Sequence, residues 1–122
     1  MLLIIDFRIS KSVILDIMTV LLPRTTQALI TFGEMIRAGR IARRWSQQGL
    51  AERLGTSRFT LSKIESGDPS VAIGTVFEAA SLVGIPLLGD TQDQRASHAR
   101  AVTAEVALLP SRVRERIVDD DF

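Results

Sequence analysis

Apolar residues along this chain recur first without a helical period and then with one. Ile, Leu and Val dominate two early runs, Leu2–Ile9 and Ser12–Leu22, where helix signals are weak and β-branched residues suit a strand. Met18 lies just ahead of the periodic region. The opening residues read either as an upstream extension or as an arm adding a strand to a second subunit, and the pattern does not choose. From Thr31 the spacing becomes helical, with Phe32, Ile36 and Ile41, joined by Met35 and Ala38, forming an apolar stripe. Thr31 suits an N-cap, with Glu34 placed as in a capping box, and this helix is expected to end near Arg44. Trp45 is expected to pack over the junction.

Further helical segments follow. Ser46 can cap a helix over Gln47–Leu54 that Gly55 stops. Ser57 can cap a third through Ser66, broken by Gly67-Asp68-Pro69. The fourth spans about Ile73–Val83, with Val76, Ala79, Ala80 and Val83 inward and Gly84 ending it. Pro86 prevents continuation, and Leu87-Leu88 are expected to close the core in a short fifth turn. A polar linker then leads to a helix over Gln94–Leu108, ended by Pro110, with one more short helix over Ser111–Val118 and a solvated tail of Asp119, Asp120 and Asp121. The expected organisation is an all-α chain with an arm over 1–30, a five-helix domain over 31–89 and a helical extension with an acidic tail over 90–122.

Composition narrows the function classes. At 122 residues there is room for one domain with arms, and a hydrophobic share of 46% is ample for a small helical core. No cysteine is present, which removes disulfides, thiolate metal sites and cysteine nucleophiles and fits a reducing, cytoplasmic setting. Asp6, Arg8, Lys11 and Asp16 interrupt the apolar opening, so neither a membrane span nor a signal peptide is expected. Net charge is only +1, but it is unevenly spread. Between Phe32 and Lys63 seven basic residues face two acidic ones, while Asp90–Phe122 holds five arginines against seven acids. A basic middle is what a phosphate-binding surface requires.

The stretch Gln47–Ser66 meets the demands of two short helices crossing through a tight turn. A close crossing needs a small residue on the first helix, supplied by Ala51. The turn needs a left-handed backbone, supplied by Gly55. Leu50, Leu54, Leu61 and Ile64 point inward to bury the corner. With those sides inward, Arg58, Phe59, Ser62 and Lys63 face out.

On these residues, the segment from about Phe32 to Leu88 resembles the Xre-type helix-turn-helix family, which includes the lambdoid phage repressors. The Ser46-Gln47 pair, the following Gly67 and the Gly84-Ile85 ending of the fourth helix add to the likeness. Gly49 departs from it, where the family usually has a better helix former, at ~1 kcal/mol of local helix stability. The resemblance implies a lambda-repressor-like fold whose third helix lies in the major groove. Base readout would then fall to Arg58, whose fork suits guanine, with Lys63 reaching a second base or a phosphate, Phe59 touching a thymine methyl, and Ser62 beside them. Gln47, Ser57 and Thr60 would bond phosphate oxygens. Arg40 and Glu65 occupy positions where this family often forms an ion pair that orients the reading helix.

No catalytic constellation accompanies this motif. His98 is the single histidine, no zinc cluster or phosphate loop can be assembled, and no cofactor or enzyme activity is expected. One reading helix covers few base pairs, so a homodimer on an inverted-repeat operator is expected, using apolar material at Met1–Leu22 or Val102–Leu109. The stretch Leu108-Leu109-Pro110-Ser111-Arg112-Val113-Arg114, running into the closing Asp119-Asp120-Asp121-Phe122, resembles the tails of HipB-like antitoxins. That likeness implies a HipA-like kinase toxin as partner and autoregulation of a shared operon. A stand-alone repressor without a toxin, and an interaction module without DNA binding, are the competing readings.

Overall fold

The computed structural model describes residues 20–115, so the strand or extension reading of Leu2–Ile9 and of most of Ser12–Leu22, the end of the short helix expected over Ser111–Val118, and the acidic tail Asp119-Asp120-Asp121 lie outside it. Among the described residues there are five helices and no strand: α1 Pro23–Ala42, α2 Gln47–Leu54, α3 Arg58–Ser66, α4 Ile73–Leu82 and α5 Gln92–Ala107. The fold class is all-α. The chain divides into two compact units, one running through Ile85 and the other from Pro86.

α1 begins at Pro23, well ahead of the expected Thr31, so the 30/31 boundary falls inside a helix. Proline at the first helical position has its φ already fixed and lacks an N–H that would have no partner there. The amides of Thr25 and Thr26 instead donate to the Leu22 carbonyl, at 2.9 and 3.1 Å. Thr31 is no cap: its hydroxyl accepts from Gln27 Nε2 within the helix. The β-branched residues of this turn cost only tenths of a kcal/mol each in propensity, which packing readily offsets.

The core comprises Ile36 from α1, Leu50 and Ala51 from α2, Leu61 and Ile64 from α3, and Ala79, Ala80 and Val83 from α4 and its end. The stripe expected on α1 is out of phase. Ile36 is buried as expected and Phe32 is half-buried, but Met35 and Ile41 are 45% and 53% exposed and Ala38 is also exposed; Gly33 and Arg40 are buried in their place. A hydrophobic pattern misses this face because two of its members are a glycine and an arginine. Gly33 permits the close approach: a methyl group there would sit 2.6 Å from the Glu65 carbonyl oxygen on α3. Gly39 does the same against α4, where a methyl would lie 2.8 Å from Val83 Cβ.

The four helices described in the first unit end alike. In each, two consecutive amides bond back to the last turn: Arg44 to Ile41 and Trp45 to Arg40, Gly55 to Glu52 and Thr56 to Ala51, Gly67 to Ile64 and Asp68 to Lys63, Gly84 to Ser81 and Ile85 to Ala80. This paired closure requires a left-handed residue, and glycine fills it three times. Arg44, at φ 58°, is the exception.

In the second unit α5 carries a capping box, in which Thr91 Oγ1 accepts from the Gln94 amide and Gln94 Oε1 accepts from the Thr91 amide. No residue of α5 is buried. Two expectations fail here. Leu87-Leu88 form no helical turn, since Pro86 interrupts the chain and Leu88 is left-handed and exposed. Residues 111–115 are not helical, as so short a segment without a packing partner cannot offset helix nucleation.

Two substitutions should move stability in opposite directions. Arg44→Gly removes left-handed strain and should raise the unfolding free energy by about 1 kcal/mol, whereas Gly33→Ala should lower it by about 1–3 kcal/mol, both read by denaturant titration.

Candidate nucleic-acid interface

α2 and α3 are too short to stand alone, so their ends are fixed by side chains. Ser46 Oγ accepts from the Gly49 amide at 2.9 Å, and Ser57 Oγ accepts from the Thr60 amide at 3.1 Å. Ser57 also donates to the Thr60 hydroxyl at 3.1 Å, so the two side chains proposed for phosphate are bonded to each other. Between the helices Gly55 adopts φ 75°, and Ala51 is fully buried. Leu50, Leu61 and Ile64 close the corner, while Leu54 is only half-buried.

This packing leaves one side of α3 open. Arg58, Phe59 and Ser62 are exposed, with Phe59 71% accessible despite its apolar ring. Lys63 is half-buried because it lies along Phe59, its ammonium 5.0 Å from the ring centre. Thr60 and Gln47 are half-buried.

Behind the open side runs a polar network. Arg40 Nε donates to Glu65 Oε2 at 2.6 Å and Arg40 Nη2 to Glu65 Oε1 at 3.0 Å, a two-pronged pair that is almost wholly buried. Arg40 Nη1 donates to the Trp45 carbonyl at 2.9 Å. Gln47 Nε2 donates to Glu65 Oε1 at 3.3 Å, and Gln47 Oε1 accepts from Arg58 Nε at 3.4 Å. Among the described residues no buried side-chain nitrogen or oxygen lacks a partner. Glu34, Arg37, Arg40, Gln47, Ser62, Glu65 and Ser66 line a shallow cleft here.

Two contacts were not readable from the sequence. Gln47 reaches both Arg58 and Glu65, residues on another helix that no local spacing connects to it. Trp45 lies between two guanidinium groups, with Arg53 4.2 Å and Arg43 5.8 Å from its ring. Arginine flanking a lone tryptophan is the signal that was present for the second.

The arrangement is a capped, outward-facing helix carrying a cation, backed by a buried ion pair and flanked by exposed arginines. A helix-turn-helix family model matches residues 36–89. This segment is a helix-turn-helix domain. It is of the Xre, lambda-repressor-like type, and a domain of this type supports a DNA-binding transcriptional regulator. No curated protein and no solved structure matches the chain. Among the described residues, no helix is long and apolar enough to cross a membrane.

Removing the Glu65 carboxylate would leave Arg40 as an unpaired buried charge, at a cost of about 3–5 kcal/mol. Glu65→Ala should therefore lower the melting temperature far more than Ser62→Ala, whose side chain faces solvent. Equal melting temperatures would rule out a structural role for the pair.

Proposed function

We propose that this regulator is a sequence-specific repressor that binds an inverted-repeat operator as a homodimer. In this reading α3 enters the major groove by its N-terminal end. Arg58 reads a guanine edge, Phe59 contacts a thymine methyl, and Ser62 and Lys63 meet a neighbouring base or phosphate. Ser57, Thr60 and Gln47, with the helix N-terminus, hold phosphate oxygens. The observation that carries it is the open side of α3, where Arg58 and Phe59 stand exposed on a helix fixed at both ends.

A dimer is favoured because one short helix reads few base pairs, and α5 leaves Val102 and Val106 exposed one turn apart on the same helical face. The likeness of Leu108–Arg114 to antitoxin tails supports a finer assignment: the antitoxin of a HipA-like kinase toxin, repressing the operon that encodes both. Co-expression with a kinase-like neighbouring reading frame tests that assignment, and a kinase that neither binds the chain nor is inhibited by it would leave a stand-alone repressor.

Two outcomes follow for DNA binding. Arg58→Ala should weaken the selected operator by about 1–3 kcal/mol and relax preference at one base step per half-site, as read by selection from a random DNA pool. Affinity should also fall steeply with salt, with a slope of about −0.9 per phosphate contact, whereas a flat profile would favour an interaction module.

A further inference from the structure

The most outward side chain of α3 is an apolar one. With about 3.6 residues per turn, the buried Leu61, Ile64 and Glu65 define the inner side of the helix, and Phe59 stands almost directly opposite them. Its ring is 71% exposed, and among the described residues it is the one large apolar side chain exposed between Ile41 and Ile73. Lys63, one turn on, steadies the ring from one side, its ammonium 5.0 Å from the ring centre. An apolar ring in the middle of a cationic reading surface needs an apolar partner once that surface is dehydrated. The floor of the major groove offers one such group of any size, the methyl at C5 of a pyrimidine, set among donors and acceptors. Thymine carries it and cytosine does not, but 5-methylcytosine carries it at the same ring position. Against unmodified cytosine the ring would crowd the N4 amino group and strip it of water with no bond in return.

We propose that this regulator responds to cytosine methylation: Phe59 docks on the C5-methyl group of a major-groove pyrimidine, accepts thymine and 5-methylcytosine alike, and discriminates against unmodified cytosine. The adjoining Arg58 is exposed and suited to guanine, so the two side chains together fit a methylated pyrimidine beside a guanine. A methyl group added to the operator then changes its affinity without changing its sequence. This goes beyond a thymine contact, because the methyl group and not the base is what the ring recognises. The inference rests on α3 lying in the major groove.

The experiment uses the wild-type chain, Phe59→Ala and Arg58→Ala. Each is selected against a random DNA pool, and the wild-type winning site is then titrated with one base modified per half-site at a time. Two kinds of duplex pair differ by a methyl group alone. One sets thymine against deoxyuridine at each thymine of the site, and the other sets 5-methylcytosine against cytosine at the same position with guanine opposite. The wild-type chain is expected to show one position per half-site where both pairs differ by about fourfold, the worth of one buried carbon, with the methylated duplex bound more tightly. Phe59→Ala should bind the two members of each pair within about twofold of one another. Its side chain faces solvent, so its melting temperature should match the wild type and show that the fold is kept. No methyl effect at any position, an effect for thymine but none for 5-methylcytosine, or an effect equally large in Phe59→Ala would overturn the proposal. If Arg58→Ala shifts base preference while no methyl effect is found, α3 reads the groove and this inference alone fails. If neither variant alters the selected sequence, major-groove reading by α3 fails and this inference with it.

Discussion

The structure depends on two opposite charges placed where a hydrophobic contact would ordinarily be. Arg40 and Glu65 are 9% and 5% exposed, and burying each ion costs several kcal/mol of hydration. Coulomb attraction alone rarely offsets that. The pair survives because each of its side-chain nitrogens and oxygens has a partner, the Trp45 carbonyl and Gln47 adding to the bonds within the pair. Such a pair adds little net stability over well-packed apolar residues, but it has direction, which a methyl contact lacks. The direction is spent on α3. At the same crossing Gly33 lets the α1 backbone come close to the Glu65 and Ile64 carbonyls, so the ion pair spans a short gap and its geometry has little slack.

Short helices make that constraint matter. α2 has 8 residues and α3 has 9, lengths at which an isolated peptide would be largely unfolded. Serine caps at their starts and left-handed glycines at their ends satisfy the amides and carbonyls that a short helix otherwise leaves open. The interior supplies the rest, through small residues at the crossing and leucine and isoleucine around it. The result presents a rigid, cationic surface on elements that could not hold their shape separately.

The chain announced some of this and concealed the remainder for identifiable reasons. α2, α3 and α4 were legible almost to the residue because serine, glycine and proline punctuate them. The start of α1 was not, since Leu22 offers no capping side chain and the following turn is rich in threonine. The inward face of α1 was misphased because hydrophobicity cannot see that Gly33 and Arg40 belong inside. Leu87-Leu88 looked like core by composition, yet chain direction after Pro86 turns Leu88 outward. At the candidate site, the exposure of Arg58, Phe59 and Ser62 follows from the inward leucines. Only family resemblance joined Arg40 to Glu65, and nothing in the linear order hints that Gln47 touches both Glu65 and Arg58.

Trp45, wedged between Arg53 and Arg43, has a bearing on how this molecule can be watched. It is the single tryptophan of a chain that contains no tyrosine, so the intrinsic ultraviolet emission of the protein is essentially its own. Its backbone carbonyl ties it to Arg40 and its ring lies beside two basic side chains near the start of α2. Any polyanion that draws those guanidinium groups off the indole changes the ring's surroundings, which gives the native sequence a built-in optical reporter at the edge of its cationic surface.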